Sequence, residues 1–189
     1  ITAVLPAGKA DTAGAEVLDL SDKFVMPGLI DAHLHTNISG EPSILHAFVD
    51  GSEGAFTITS IKNAQRDLMA GFTSVRDEGG FRYTDVAVRD AIDRGMIVGP
   101  RMMVSGEALT GTGGHADSHL APYVGGFTSL GRVINSADEG RKAARLNLKY
   151  GADQIKIMAT GGVMSFGDDP KCSELSFEEM KAIIDIARA

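Results

Sequence analysis

Phe24-Val25-Met26-Pro27-Gly28-Leu29-Ile30-Asp31-Ala32-His33-Leu34-His35 is a long apolar run that closes on two histidines. It lacks the strict apolar–polar alternation of a half-exposed strand and reads as a buried strand with its approach, as parallel strands covered on both faces do. Three further stretches share this character: Gly71–Asp77, Arg101–Gly106 directly after Pro100, and Ala152–Ala159. All are short and bounded by Gly, Ser, Thr or charged residues.

Helical stretches lie between them. Ile61–Ala70 runs into Gly71 and Val86–Arg94 into Gly95, both good helix-closing glycines. A third helix opens on the capping-box-like Ser136-Ala137-Asp138-Glu139 and runs to Tyr150, before Gly151. A fourth covers Glu178–Ala189, with Met180, Ile183, Ile184 and Ala187 on one face. Strands alternating with helices imply an α/β fold on a parallel sheet. Residues 25–189 hold four such units of about 41 residues, above the ~30 that a βαβ repeat needs. Four units are half of an eight-unit barrel. An open doubly wound sheet is the alternative, weakened because no G-x-G-x-x-G follows a strand. Residues 1–24 are turn-rich, with Pro6, Gly8 and Gly14, and Val17–Leu20 reads as a short strand.

Composition narrows the function. The chain has 189 residues, 43% hydrophobic and 23% charged, with net charge −7. That describes a globular protein with no basic block to hold a phosphate backbone, so nucleic-acid partners are not expected. No apolar run approaches the roughly 20 residues of a membrane span. The single Cys172 excludes an intrachain disulfide, and with no signal peptide in view a cytoplasmic location is expected. The first residue is Ile1, and the last helix reaches Ala189 without a Gly, Asn or Pro stop signal, so a longer native chain is expected.

His33 and His35 stand two apart on the first strand, so both imidazoles project to one face near its carboxyl end, where barrel enzymes build their sites. Two imidazoles there suit zinc or a similar divalent metal, although the pair alone also fits two loop histidines. Lys156 stands between Ile155 and Ile157 on the fourth strand; a lysine there is either paired or snorkelling, or is a neutral amine open to reaction. Leu109-Thr110-Gly111-Thr112-Gly113-Gly114-His115 reads as a glycine-rich loop bringing backbone and His115 close to a ligand. His119 is a poorer candidate and His46 reads as surface. Gly161-Gly162 and Met164-Ser165 are expected to shape the rim. Arg76-Asp77 and Glu107 read as structural ion-pair residues, and Cys172 as inert.

Val25–His35 resembles the P-G-x-I-D-x-H-x-H signature of the amidohydrolase superfamily. Gly151–Ser165 and the Gly113-Gly114-His115 element resemble its branch of Xaa-Pro and Xaa-Arg dipeptidases, with imidazolonepropionase-related enzymes nearby. The resemblance implies a TIM (β/α)8 barrel, of which residues 25–189 would be the first half. Residues 1–24 would be part of a small β-sandwich domain. It implies two divalent metal ions, expected to be zinc, held by His33, His35 and a carboxylated Lys156 formed with CO2. Asp31 would orient an imidazole through its second ring nitrogen. Lys156 and His115 would be the catalytic residues within this stretch, with His115 facing the carboxylate or carbonyl of the substrate. The remaining ligands and the catalytic aspartate would follow residue 189. The implied reaction is metal-assisted hydrolysis of an amide or peptide bond in a dipeptide or N-acyl amino acid, by a homo-oligomer. The alternatives are a hydrolase or deaminase of a cyclic amide or heterocycle, and an inactive fragment.

Overall fold

Three parallel strands form the sheet on which everything else is hung: β1 (Leu29–Leu34), β2 (Phe72–Asp77) and β3 (Arg101–Val104), in that order. The computed structural model describes residues 1–40, 42, 44–121, 123, 130–163, 165 and 167–189. The rim residue Met164 lies outside this set. Helices α1 (Ile44–Asp50) and α2 (Glu53–Met69) link β1 to β2. A short 3-10 turn (Phe81–Tyr83) and α3 (Thr84–Asp93) link β2 to β3. Two short parallel strands follow, β4 (Leu109–Thr110) and β5 (Arg132–Val133), then α4 (Ala137–Lys149) and α5 (Phe177–Ala187). The fold is α/β with parallel sheets, as expected. Among the described residues no helix is long and apolar enough to cross a membrane.

The strands need the helices because each carries one apolar face. Val75, Met102 and Val104 are buried against Ala64 and Ile61 of α2 and Val86, Val88 and Ile92 of α3. The opposite face carries His33, Arg76, Arg101 and Met103, all exposed. Burial on both faces, as the composition of the strands suggests, is therefore not seen: no described element covers that second face. A second core joins Leu109 and Ile134 to Ala143 and Ala144 of α4, Ile183 of α5, and Leu175. Both helices are capped by serine. Ser136 Oγ accepts from Glu139 N–H at 3.2 Å, and Ser176 forms a full capping box with Glu179. On α5, Ile183 is buried whereas Ile184 is exposed, so the inward face is centred on Ala182, Ile183 and Ile186 rather than on Ile184.

Four expectations change. The fourth strand is reduced to a single parallel bridge, Leu109 with Ile157, flanked by Leu109 N–H to Lys156 O and Met158 N–H to Leu109 O. Upstream, Val104 O receives the N–H groups of Asp153 and Gln154. The segment still runs beside β3 and β4, but its partner leaves the line between Val104 and Leu109, so no continuous ladder forms. Leu109 and Thr110, expected to open a glycine-rich loop, are instead the buried β4. Val17–Leu20 forms no strand; its residues are exposed and find no partner strand among the described residues. The first long helix begins eight residues earlier than its apolar pattern, because Ser52 caps it by accepting Ala55 N–H.

Register sets the functional rim. Leu34 pairs with Asp77 and Asp77 with Val104, so the carboxyl ends of the three strands are level. At that level the next N–H groups have no strand to bond, and buried carboxylates take them. Asp77 accepts Thr36 N–H at 3.0 Å and Thr36 Oγ1–H at 2.6 Å. Asp85 of α3 accepts Gly106 N–H at 2.8 Å and Ser105 N–H at 3.2 Å. Asp153, itself exposed, accepts the N–H of Val104, the last residue of β3, at 3.0 Å and pairs with Arg89. Asp85 is fully buried, and burial, aided by the nearby charge of Asp77, pushes its carboxyl up to about 6 against the backbone N–H groups of Gly106, Val86 and Ser105.

Two outcomes check this architecture. Leu109→Ala removes a fully buried side chain at the meeting of β4, β5 and α4 and should cost about 2–5 kcal/mol in denaturant unfolding, whereas the exposed Ile184→Ala should cost under ~1 kcal/mol. Because the folded protein binds a proton at Asp85 more readily than the unfolded chain, stability should fall as pH rises from about 4 to about 6. Asp85→Asn should flatten that slope. An unchanged slope across unfolding curves at pH 4.5, 6 and 7.5 would refute the assignment to Asp85.

Candidate active site

The level strand ends place chemistry-bearing residues together. His33, one residue before the end of β1, points its Nε2 at Lys156 Nζ, 3.5 Å away across 123 residues of sequence. His35 follows β1, and its ring stands edge-on to that of His33, centroids 5.6 Å apart. Its Nδ1 faces Gly79 O at 3.4 Å, which calls for a proton on Nδ1 and leaves Nε2 as the free lone pair. Burial holds the His35 imidazole below its ordinary value; the charges of His33 and Lys156 add to this and Asp77 opposes it. A ring kept neutral is the form that ligates a metal. The loop carrying it is fixed from α2, where Asn63 Nδ2 donates to Thr36 O at 2.8 Å and Ile38 O at 3.2 Å.

Lys156 is mostly covered, its side chain 18% exposed. Its nearest carboxylate is Glu78 at 3.8 Å, directly after β2. Glu78 also accepts from Gln154 Nε2 at 3.2 Å and pairs with Arg76 at 2.5 Å. Glu78 was not expected at the site. The cue in the sequence is the polar run Arg76-Asp77-Glu78 closing an otherwise apolar strand. The pairing expected between Arg76 and Asp77 is not formed: alternate residues of a strand face opposite sides, so Asp77 turns under the helices while Arg76 turns to the open face. There Arg76 meets Glu78 and donates to Ala32 O at 2.7 Å. Asp31 also departs from expectation, accepting the backbone N–H of His33 at 3.0 Å rather than a ring nitrogen. Glu107 is structural, as read, and pairs with Arg132.

His115 has its own partners, none of them a member of this cluster among the described residues. Its Nδ1 lies 2.6 Å from Ser165 Oγ and 3.8 Å from Asp168 Oδ2. His119 Nε2 lies 3.0 Å from Gly113 O and serves the loop rather than a ligand. His46 is exposed on α1, and Cys172 is exposed and unpaired in any disulfide.

The donor set decides what a metal would find here. Two imidazoles and an amine converge, one imidazole held neutral. Among the described residues no three His, Cys, Asp or Glu side chains group to hold an ion. The cluster thus fits part of a metal centre, and Lys156 supplies the third donor only if its amine gains oxygen ligands.

The sequence profile of the amidohydrolase family matches residues 24–189. A prolidase solved with N-methylphosphonate-L-proline is similar with a TM-score of 0.81 and 36% identity, over 95% of this chain and 44% of its own. A Xaa-Pro dipeptidase with methionine in its active site is similar with a TM-score of 0.76 and 32% identity, over 86% of this chain and 40% of its own. Ochratoxinase of Aspergillus niger is 35% identical over 183 residues, which covers 86% of this chain and 36% of that enzyme. The chain spans less than half the length of each of these proteins.

Proposed function

This chain belongs to the amidohydrolase family, and from that premise we propose that it is the first half of a metal-dependent hydrolase cleaving an amide or peptide bond in a small substrate. Residues 25–189 are read as the first four units of a (β/α)8 barrel and residues 1–24 as part of a small β-rich domain. The observation that carries the functional reading is the meeting of His33 Nε2 and Lys156 Nζ at 3.5 Å. Folding brings these two donors together from β1 and from the segment that bridges to Leu109, at the carboxyl edge of the sheet, where parallel α/β folds place their sites.

Family members generally use divalent metals. His33 and His35 would hold the metal through ring nitrogens, and the Gly79 carbonyl fixes the tautomer of His35 for that task. Lys156 would serve after its neutral amine adds to CO2, giving a carbamate anion and releasing one proton. The carbamate oxygens would complete the donor set that the amine lacks. When bound, the divalent metals, expected to be two zinc ions, lower the pKa of water and polarise the scissile carbonyl. His115 would face the carboxylate or carbonyl of the substrate from the adjoining loop. Glu78 and Arg76 hold the floor beneath Lys156. A dipeptide or N-acyl amino acid is the favoured substrate. The named prolidase, the Xaa-Pro dipeptidase and ochratoxinase support that choice.

In the full-length protein, His33→Ala and Lys156→Ala should each lower the bound metal measured by elemental analysis and cut kcat/KM on Xaa-Pro dipeptides by about 10²-fold or more. His46→Ala should do neither. Unchanged metal content and activity in both site variants would overturn the reading.

A further inference from the structure

Asp77, the last residue of β2, is fully buried, and its two oxygens serve two different turns. In the turn after β1, Oδ2 takes the N–H of Thr36 at 3.0 Å and its hydroxyl at 2.6 Å. In the turn after β2, Oδ1 takes the N–H of Gly79 at 3.2 Å. Both turns converge on one side chain. The Thr36 N–H belongs to the planar peptide unit that starts at the carbonyl carbon of His35, so its bond fixes the backbone from which that imidazole hangs. Gly79 supplies the carbonyl that faces His35 Nδ1 at 3.4 Å.

The backbone of Gly79 lies against the ring. Its φ is +153°, and a Cβ there would stand 3.5 Å from both Nδ1 and Cε1 of His35. Its neighbours are tied as well: Glu78 N–H donates to Leu34 O at 3.0 Å and Gly80 N–H to Gly106 O at 2.8 Å. Thr36 is 1% exposed, and its own carbonyl takes Asn63 Nδ2 at 2.8 Å. A carboxylate suits the place between the two turns because both of its oxygens only accept. Asparagine has the same shape but one acceptor and one NH2 group, so one of the two backbone N–H groups would face another donor and its turn would move. Metal–ligand distances tolerate only about 0.2 Å, so a shift too small to alter the fold still matters to a ligating imidazole.

Resting on the metal-dependent reading above, we propose that Asp77 is the positioning residue of His35. One carboxylate ties the peptide that carries the imidazole to the segment whose carbonyl orients the ring, and thereby sets where Nε2 can meet a metal ion. The oxygens of Asp77 are occupied by backbone and hydroxyl donors, so it acts through His35 and not as a ligand.

Zinc affinity of the full-length protein tests this, measured by chelator competition at a temperature where circular dichroism shows every variant folded. Asp77→Asn should weaken zinc binding about 10-fold or more and alter the visible spectrum of the cobalt-substituted protein. Thr36→Val, which removes one of the three donors, should weaken binding about 3-fold or more, and Thr36→Ser should keep wild-type affinity. Adding Thr36→Val to Asp77→Asn should change little further, because both break the same connection. Val88→Ala, in the apolar core between the sheet and its helices, should lower the melting temperature and leave zinc affinity and spectrum unchanged. Should Asp77→Asn not fold, the contrast between Thr36→Val and Thr36→Ser decides. Variants at Asp77 and Thr36 that lower the melting temperature but keep wild-type zinc affinity reduce Asp77 to a strand-end cap and overturn the proposal. A wild type that takes up no zinc overturns the hydrolase reading and this proposal with it. Zinc uptake that needs His33 but not Asp77 overturns this proposal alone.

Discussion

Backbone amides at the ends of parallel strands set the terms for this molecule. A parallel ladder stops abruptly, and the N–H groups just past its end must find acceptors or stay with water. Here carboxylates supply them, Asp77 for Thr36 and Asp85 for Ser105 and Gly106, while Asp153 takes the N–H of Val104, the last residue of β3, and Glu174 that of His115 in the loop after β4. Charge-assisted bonds of this kind are shorter and stronger than neutral ones. Each also ties an element to its neighbour, so the loops that carry His35 and His115 are held by residues distant in sequence. The arrangement has an electrostatic cost, since burial first and the nearby charge of Asp77 second push the Asp85 carboxyl up.

That constraint explains why some features were legible in the sequence and others were not. The helices α3, α4 and α5 could be read because amphipathic periodicity and glycine stops are local signals. The sites of β1, β2 and β3 could be read because short apolar runs are local too. The fourth strand could not, because its pairing depends on the course of Val104–Leu109, which no local pattern describes. Val17–Leu20 has a strand-like composition, but a strand needs a partner. The starting point of α2 was missed because Ser52 is a cap without an apolar residue beside it to mark the helix.

At the site the same division holds. His33, His35 and Lys156 stood out as residue types set in apolar strands, and the structure places all three together. The role of Glu78 depends on which way the chain turns after β2, as does the exchange by which Arg76 meets Glu78 while Asp77 turns to Thr36. Asp31 illustrates the limit of spacing arguments. Two residues from His33, its carboxylate reaches the nearer backbone N–H and closes a local turn, a competition that short acidic side chains commonly win.

The two candidate functional groups are built on different physical terms. Of the strand-end cluster only His33 sits in a strand; His35 follows β1 on a segment tied down by Asn63, and Lys156 precedes the single bridge residue Ile157. His115 sits on a loop, where nothing intrinsic fixes a side chain. A functional imidazole there must be over-determined by its surroundings. Glu174 fixes its backbone, the missing side chain at Gly162 admits its ring, and Ser165 Oγ meets its Nδ1 at 2.6 Å. Loop length alone would leave that ring free to rotate through several positions, and ordering it on ligand binding would cost affinity. The groups that order His115, from Gly162 to Glu174, follow Lys156 in the same stretch of chain, so the strand-end site and the loop site depend on one segment.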